Sequence, residues 1–194
     1  MKLYYSPGAC SLATRITLHE AGLDAEFERV DLKAKRTETG ADYLAINPAG
    51  SVPMLVLDGG ETVTENVAIL DLLAERAPAL GPAGPLGRTR LIEMLSFLST
   101  ELHIAFKPFW HDDDPAARAA AGEAVVKRLA ILEDRMVGPW LFGAGFTGAD
   151  AYLFVMLRWA KGFGLPLSPR MLGYFDRVAE RGAVRQALAE EGLA

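Results

Sequence analysis

The segment from Ala77 to Gly87 constrains the fold most, because it holds three prolines and three glycines. Neither a regular helix nor a strand is expected in so interrupted a stretch. The sequence therefore predicts a linker over residues 77–87 that separates a unit at residues 1–76 from a second unit at residues 88–194.

Before the linker, short strand-like and helix-like runs alternate, and Lys33–Thr39 reads as a polar loop. This order, βαβαββα, is typical of a small α/β layer fold. The predicted elements are strand Lys2–Tyr5, helix Ser11–Ala21 ended by Gly22, strand Ala25–Leu32, a short helix at Ala41–Ile46, strands Met54–Leu57 and Thr62–Thr64, and helix Glu65–Arg76.

After the linker, every pattern indicates helix. One apolar stripe has the three-and-four spacing of a core-facing helix, and it comprises Leu91, Leu95, Leu98, Leu102 and Phe106. A second helix is predicted over Pro115–Met136, with proline in its first turn. Thr147 and Asp150 form a capping box before a third helix, and two further short helices finish the chain.

The charge and composition of the chain argue against several classes of function and location. The net charge is −5, from 20 basic and 25 acidic side chains, and no basic run is interleaved with aromatics, so nucleic acid is not expected as a partner. No apolar stretch has the length of a membrane span. The first residues lack the apolar core of a signal peptide, so a cytoplasmic location is expected. The single cysteine excludes an internal disulfide and suits a reducing compartment.

Cys10 lies between a strand-end turn and the first turn of a helix. Unpaired amides and the positive end of the helix dipole favour a thiolate there, which predicts a lowered pKa of the cysteine or a site for a bound thiolate. The hydroxyl of Ser11 offers a donor at the same place. The alternative is that Cys10 is buried filler and Ser11 only caps the helix.

Two further features suit a peptide ligand. A cis bond at Val52-Pro53 would turn the backbone of Val52 outward as a strand edge for an extended peptide, whereas a trans proline at a strand start is the ordinary alternative. At Glu65 and Asn66 a strand runs directly into a helix, so their amides suit a carboxylate and the Glu65 side chain suits an ammonium group. A plain acidic N-cap turn is the alternative there.

Together the three sites suit a ligand with a thiol, an extended peptide and a free α-amino acid end, and glutathione has all three. The sequence also resembles the glutathione transferase superfamily, and most closely its bacterial beta class. The resemblance rests on four strings in order along the chain: Tyr4-Tyr-Ser-Pro-Gly-Ala-Cys-Ser11, Asn47-Pro-Ala-Gly-Ser-Val-Pro53, Val63-Thr-Glu-Asn-Val-Ala-Ile69 and Phe146-Thr-Gly-Ala-Asp-Ala-Tyr152.

The resemblance implies a thioredoxin-like domain followed by an all-helical domain, which would hold the second-substrate pocket and the contacts of a homodimer. It also implies roles for individual residues. Catalytic roles fall to Cys10, Ser11 and His103, and glutathione-binding roles to Lys35 at the glycine carboxylate, Val52 and Pro53 at the cysteinyl backbone, Glu65 and Asn66 at the γ-glutamyl end, and Ser96 across the dimer.

Other polar and aromatic residues have two interpretations each. Ser96, Thr100, His103 and Lys107 form a stripe that is either a solvated helix face or, by resemblance, one edge of the site. Trp159 is either core or, by resemblance, close to the site. His111 and the three aspartates after it are interpreted as an acidic loop, since consecutive residues lack the geometry of a metal site; no metal cofactor is expected. His19 is expected at the surface.

The sequence thus predicts a glutathione transferase, a detoxification enzyme that activates the glutathione thiol at a helix N-terminus for attack on a small electrophile. Apolar Phe106, Phe109 and Trp110 indicate a hydrophobic electrophile. Two alternatives remain open: glutathione-dependent thiol-disulfide exchange through Cys10, and a protein that binds glutathione or another ligand without turnover.

Overall fold

The structure, a computed structural model, describes all residues 1–194. All five strands lie in the first 64 residues, where they are interspersed with helices. The elements are β1 (Lys2–Tyr5), α1 (Ser11–Ala21), β2 (Glu26–Asp31), β3 (Arg36–Thr37), α2 (Tyr43–Ile46), β4 (Met54–Val56), β5 (Thr62–Thr64) and α3 (Asn66–Arg76).

The strands form one mixed sheet in the order β3-β2-β1-β4-β5. β1 pairs in parallel with β2, which is joined to it through α1, and antiparallel with β4. Leu3 on β1 lies opposite Phe27 and Leu55, so the central strand is apolar on the buried face. Because β1 is central, the loop that follows Tyr5 leaves the middle of the sheet and delivers Cys10 to its carboxyl-terminal edge.

The second part of the chain is all helical. Its elements are α4 (Gly87–Phe97), a π-helical segment (Leu98–His103), α5 (Lys107–His111), α6 (Pro115–Arg135), α7 (Gly148–Gly162), α8 (Pro169–Ala179) and α9 (Gly182–Glu190). The predicted α/β arrangement followed by an all-α unit is confirmed. None of the helices combines the length and the apolar character that a bilayer span requires.

The capping box predicted at the start of α7 is present. Asp150 accepts hydrogen bonds from the amide and the hydroxyl of Thr147. Its other oxygen accepts from the Leu141 amide and the Tyr174 hydroxyl, both at 2.7–2.8 Å. A fully buried carboxyl therefore joins the start of α7 to the preceding loop and to α8.

Three local predictions are wrong. The linker is not free of helix, because Pro78–Leu80 forms a 3₁₀ turn and Gly87 begins α4. Proline is compatible with the start of a helical turn, because the N–H that it lacks would be unpaired there in any residue. The loop Lys33–Thr39 contains the edge strand β3, which is too short to show an alternating pattern. The first helix after the linker is broken by the π segment, although the predicted apolar stripe is buried along its whole length.

The main core joins the two parts of the chain. It comprises 32 buried residues, among them Leu12, Ile16 and Leu70 from the α/β part and the inner faces of the later helices. Helix α1 is buried on nearly all sides, because it packs on the sheet and also contacts α7 and α9. The start of α1 is therefore held by both parts of the molecule.

Candidate functional site

Two adjoining cavities meet at Cys10 between the α/β part and the helical part. The first has a volume of about 430 Å³ and the second of about 650 Å³. Cys10, Ser51, Val52 and His103 line both cavities. The first is otherwise lined mainly by Glu65, Asn66, Ser99, Lys107 and Tyr152, and the second by Pro7, Gly8, Lys35, Trp110, His111 and Trp159.

Cys10 immediately precedes the first residue of α1, as the sequence predicts. Its sulfur lies 3.3 Å from the carbonyl oxygen of Val52, to which the thiol donates a hydrogen bond. Burial raises the pKa of the Cys10 thiol to about 12, and the amides of Cys10 and Ser11, which face the sulfur, only partly offset that effect. The expected lowering of this pKa is wrong for the free protein, because desolvation outweighs the helix end.

Ser11 does not face the cavities. Its side chain is fully buried, its hydroxyl accepts a hydrogen bond from the amide of Ser6 at 3.2 Å, and it lies 3.3 Å from the Ser6 carbonyl. The hydroxyl therefore closes the turn between β1 and α1. Only the backbone amide of Ser11 is directed toward the sulfur of Cys10.

The Val52-Pro53 peptide is cis, which was one of the two alternatives open from the sequence. Val52 lines both cavities, and its N–H has no hydrogen-bond partner within the chain. Its carbonyl accepts from the Cys10 thiol. Val52 thus offers one donor and one acceptor side by side next to β4, which is what an extended peptide requires to pair with it.

Glu65 and Asn66 form the junction between β5 and α3. Glu65 has a left-handed φ of 67°, and neither its amide nor that of Asn66 has a partner within the chain. The Asn66 side chain turns inward, where it donates to the Cys10 carbonyl and accepts from the Thr14 hydroxyl, each at 2.9 Å. Asn66 therefore offers a ligand its amide, while its side chain links α3 to α1.

Lys35 lines the second cavity and not the first. Its ammonium donates to the carbonyl of Gly50 at 2.7 Å, and its backbone has a left-handed φ of 55°. This contact fixes a positive charge in the second cavity, whereas the free amides of Glu65 and Asn66 line the first. Each cavity therefore has a group that suits a carboxylate.

His103 is turned inward, not into solvent as one interpretation of its stripe held. Its Nδ1 lies 2.7 Å from the hydroxyl of Tyr152, and its ring lies 4.9 Å from that of Trp159. Burial first, and then the charge of Lys107, lower the pKa of His103 to about 4. The imidazole is therefore neutral at pH 7. Sequence reasoning missed Tyr152, although it lies only two residues after the capping Asp150.

The loop before Cys10 is held by the C-terminal part of the chain. The Gly8 amide donates to Glu191 at 2.8 Å, and the Gly8 carbonyl accepts from Trp159 Nε1 at 2.8 Å. Leu193 packs against Gly8, whose φ is +70°. Nothing in the sequence pairs Glu191 with residue 8, since the two are 183 positions apart.

The remaining candidates lie apart from the cavities. Ser96 lines neither of them within one chain. His19 is half-buried, since its Nε2 contacts Glu190 at 2.8 Å and 13% of its side chain is exposed. Asp114 caps α6 by accepting from the Ala116 amide. The chain has no group of three or more histidine, cysteine or acidic side chains placed to hold a metal ion.

Comparison with known proteins identifies the family of the chain. Residues 8–76 match the family described as glutathione S-transferase, N-terminal domain, and residues 115–180 match its C-terminal domain. The glutathione S-transferase GstA of Escherichia coli O157:H7 is 44% identical over 200 residues, which is 100% of both chains. Glutathione S-transferase GST-4.5 of Xanthomonas campestris pv. campestris is 38% identical over 207 residues, again 100% of both.

Solved structures show the same relationship. A sphingomonad glutathione S-transferase complexed with glutathione superposes with a TM-score of 0.93 at 47% identity, and covers 100% of both chains. The beta class enzyme of Sphingomonas chungbukensis gives a TM-score of 0.93 at 45% identity with the same coverage. The predicted fold, a thioredoxin-like unit followed by a helical unit, is thereby confirmed. The chain belongs to the glutathione S-transferase family.

Proposed function

We propose that this protein is a glutathione transferase that activates the glutathione thiol at the N-terminus of α1 for attack on a small hydrophobic electrophile. One observation carries the proposal: the first cavity is lined by Cys10 at the start of α1, by Val52 with its free N–H, and by Glu65 and Asn66 with their free amides. These positions match the thiol, the peptide and the α-amino acid end of glutathione. The named relatives support the same activity.

In the proposed arrangement, the cysteinyl backbone of glutathione pairs with Val52 beside Pro53. Its γ-glutamyl carboxylate meets the amides of Glu65 and Asn66, its ammonium meets the Glu65 carboxylate, and its glycine carboxylate approaches Lys35. The thiol then lies near the amides of Cys10 and Ser11. Unpaired amides at a helix start stabilise an anion, so they lower the pKa of the bound thiol.

Cys10 acts in this proposal as a neutral thiol and not as the nucleophile. Its raised pKa keeps it protonated at pH 7, so one thiolate forms in the site instead of two. This favours conjugation over the thiol-disulfide exchange that the sequence left open, because exchange would require Cys10 to react as a thiolate. The attacked electrophile would lie in the second cavity against Trp110 and Trp159.

Further parts of the proposal concern the whole protein. We assign residues 1–76 to the glutathione-binding domain, 77–87 to the linker and 88–194 to the helical domain. The active form is proposed to be a cytoplasmic homodimer. Ser96, which lies outside the cavities of its own chain, is assigned to the ligand of the partner subunit.

The proposal is tested by titrating glutathione into the protein in a calorimeter and assaying conjugation of 1-chloro-2,4-dinitrobenzene. Glu65→Gln should weaken glutathione binding by roughly tenfold, since it removes a charge-assisted hydrogen bond. Glu61→Gln is the matched control, because Glu61 is exposed and lines neither cavity. No measurable glutathione binding by the wild-type protein would refute the function. Equal affinities of the two variants would remove Glu65 from the site.

A further inference from the structure

The hydroxyl of Tyr152 contacts His103 inside the first cavity. The tyrosine is 1% exposed on α7, and its oxygen lies 2.7 Å from Nδ1 of His103, which ends the π segment. The two rings meet edge to face, with centroids 6.0 Å apart and planes at 85°. The contact therefore joins two elements of the helical unit at the wall that faces Cys10.

The direction of this hydrogen bond follows from the protonation of both groups. Burial raises the pKa of Tyr152, so the phenol keeps its proton, and the contact with His103 is the only hydrogen bond that its hydroxyl makes within the protein. Burial and the Lys107 charge keep His103 neutral. A neutral imidazole has one N–H and one acceptor nitrogen. The phenol proton has no other acceptor within the protein, so Tyr152 donates to Nδ1, which leaves the imidazole proton on Nε2.

The Nε2 edge of the ring is free for a ligand. Nε2 makes no hydrogen bond within the protein, and His103 lines both cavities beside Cys10. We propose that Tyr152 is a positioning residue that holds His103 with its Nε2–H directed into the cavity as a hydrogen-bond donor to the sulfur of glutathione. This inference rests on the proposed function, since the sulfur is the acceptor it requires.

A double-mutant cycle tests the inference through turnover. Tyr152→Phe should lower kcat roughly tenfold, the loss expected from one misplaced hydrogen bond. The KM for glutathione should stay within about twofold, because the peptide contacts are untouched. If Tyr152 acts through His103, then Tyr152→Phe has little further effect in a His103→Ala background. Fully additive losses, or an unchanged kcat in Tyr152→Phe, would overturn the inference.

Tyr5→Phe is the matched control for removal of a hydroxyl. Tyr5 is 8% exposed, its hydroxyl has no hydrogen-bond partner in the structure, and it lines neither cavity. Its kcat should equal that of the wild-type protein. A drop as large as that of Tyr152→Phe would show that loss of a tyrosine hydroxyl by itself lowers kcat, and would overturn the specific role of Tyr152.

Nitrogen-15 spectra of the histidine rings test the same bond without any change to Tyr152. In the wild-type protein, His103 should carry its proton on Nε2 from pH 6 to pH 8. Protonation on Nδ1 would overturn the inference even if Tyr152→Phe does not fold. The two proposals fail differently: absent glutathione binding removes the function and this inference together, whereas normal turnover with an Nδ1 proton removes the inference alone.

Discussion

Two opposing sets of effects act on the pKa of the Cys10 thiol, and both follow from its place at the start of α1. The helix end and the amides of Cys10 and Ser11 favour the thiolate, while the surrounding apolar packing and the Glu65 charge favour the thiol. Desolvation is the largest of these effects. Position along the chain therefore indicates where a thiolate can be stabilised, and only burial decides which sulfur, that of Cys10 or that of a ligand, takes the charge.

The raised pKa predicts slow chemical modification of Cys10. Because the pKa of Cys10 is about 12 and only the thiolate reacts, iodoacetamide should alkylate the folded protein at pH 7.5 roughly a thousandfold more slowly than a free cysteine. The rate should keep rising with pH above 9. Intact-mass spectrometry follows the reaction, and the urea-unfolded protein is the control. Alkylation of the folded protein at the free-cysteine rate would contradict the burial argument.

At the scale of elements, the C-terminal end of the chain acts on the loop before Cys10. Glu191 accepts from the Gly8 amide and faces Arg15 on α1 at 3.3 Å. The Arg15 guanidinium in turn lies 4.0 Å from the centres of the Tyr5 and Phe27 rings. The last residues of the chain thus brace the turn that positions Cys10. Deleting them would disturb the site, although none of them lines either cavity.

This brace predicts a measurable pH dependence of stability. Burial raises the pKa of Glu191 to about 7, against opposing effects of the Gly8 amide, Arg15 and Arg158. The folded protein therefore keeps a proton that the unfolded chain has released, so the contribution of Glu191 to stability falls as pH rises from about 4.5 to about 7. The loss is on the order of 3 kcal/mol.

Glu191→Gln removes that dependence, because the amide stays neutral and still accepts from Gly8. Thermal unfolding between pH 5 and pH 8 should show the melting temperature of the variant rising relative to the wild-type protein as pH increases. Glu190→Gln is the control, since hydrogen bonds from Gln186 and His19 hold the pKa of Glu190 below its usual value, so its difference from wild type should stay constant between pH 5 and pH 8. A difference between Glu191→Gln and wild type that does not change with pH would be evidence against a protonated Glu191.

At the scale of the whole molecule, the largest core spans both units, and two smaller clusters of buried residues lie within the α/β unit. Residues of α1 and α3 are part of the same 32-residue cluster as α4 and the later helices. A bidentate ion pair between Glu20 and Arg181 adds a polar link from α1 to the end of the chain. The linker therefore separates the two units in sequence while their apolar faces remain packed together.

The shared core predicts one cooperative unfolding transition. Urea unfolding followed by tryptophan fluorescence and by far-ultraviolet circular dichroism should give coincident curves, although all three tryptophans lie in the helical unit. Residues 1–86 expressed alone should unfold at lower urea than the full chain, because Leu12, Ile16 and Leu70 lose their partners. Two separated transitions would contradict a shared core.

Much of the architecture is local in origin and was predictable. The bounds of β1, α1 and β5 and the αL residue Gly22 agree with prediction, because period and capping chemistry act within a few residues. The capping box at Thr147 is equally local. β3 and the π segment were not predictable: the first is stabilised by pairing with Val30 and Asp31, and the second has an ordinary helical pattern.

The sequence by itself determined the fold, the family and the position of a thiol at a helix start, since each depends on short-range pattern. Only the tertiary structure decided what the side chains do at the site. It turned Ser11 and the Asn66 side chain inward, paired Tyr152 with His103 and brought Glu191 to Gly8. It also decided the protonation of Cys10, because desolvation is a property of the packed interior and leaves no signature in the neighbouring residues.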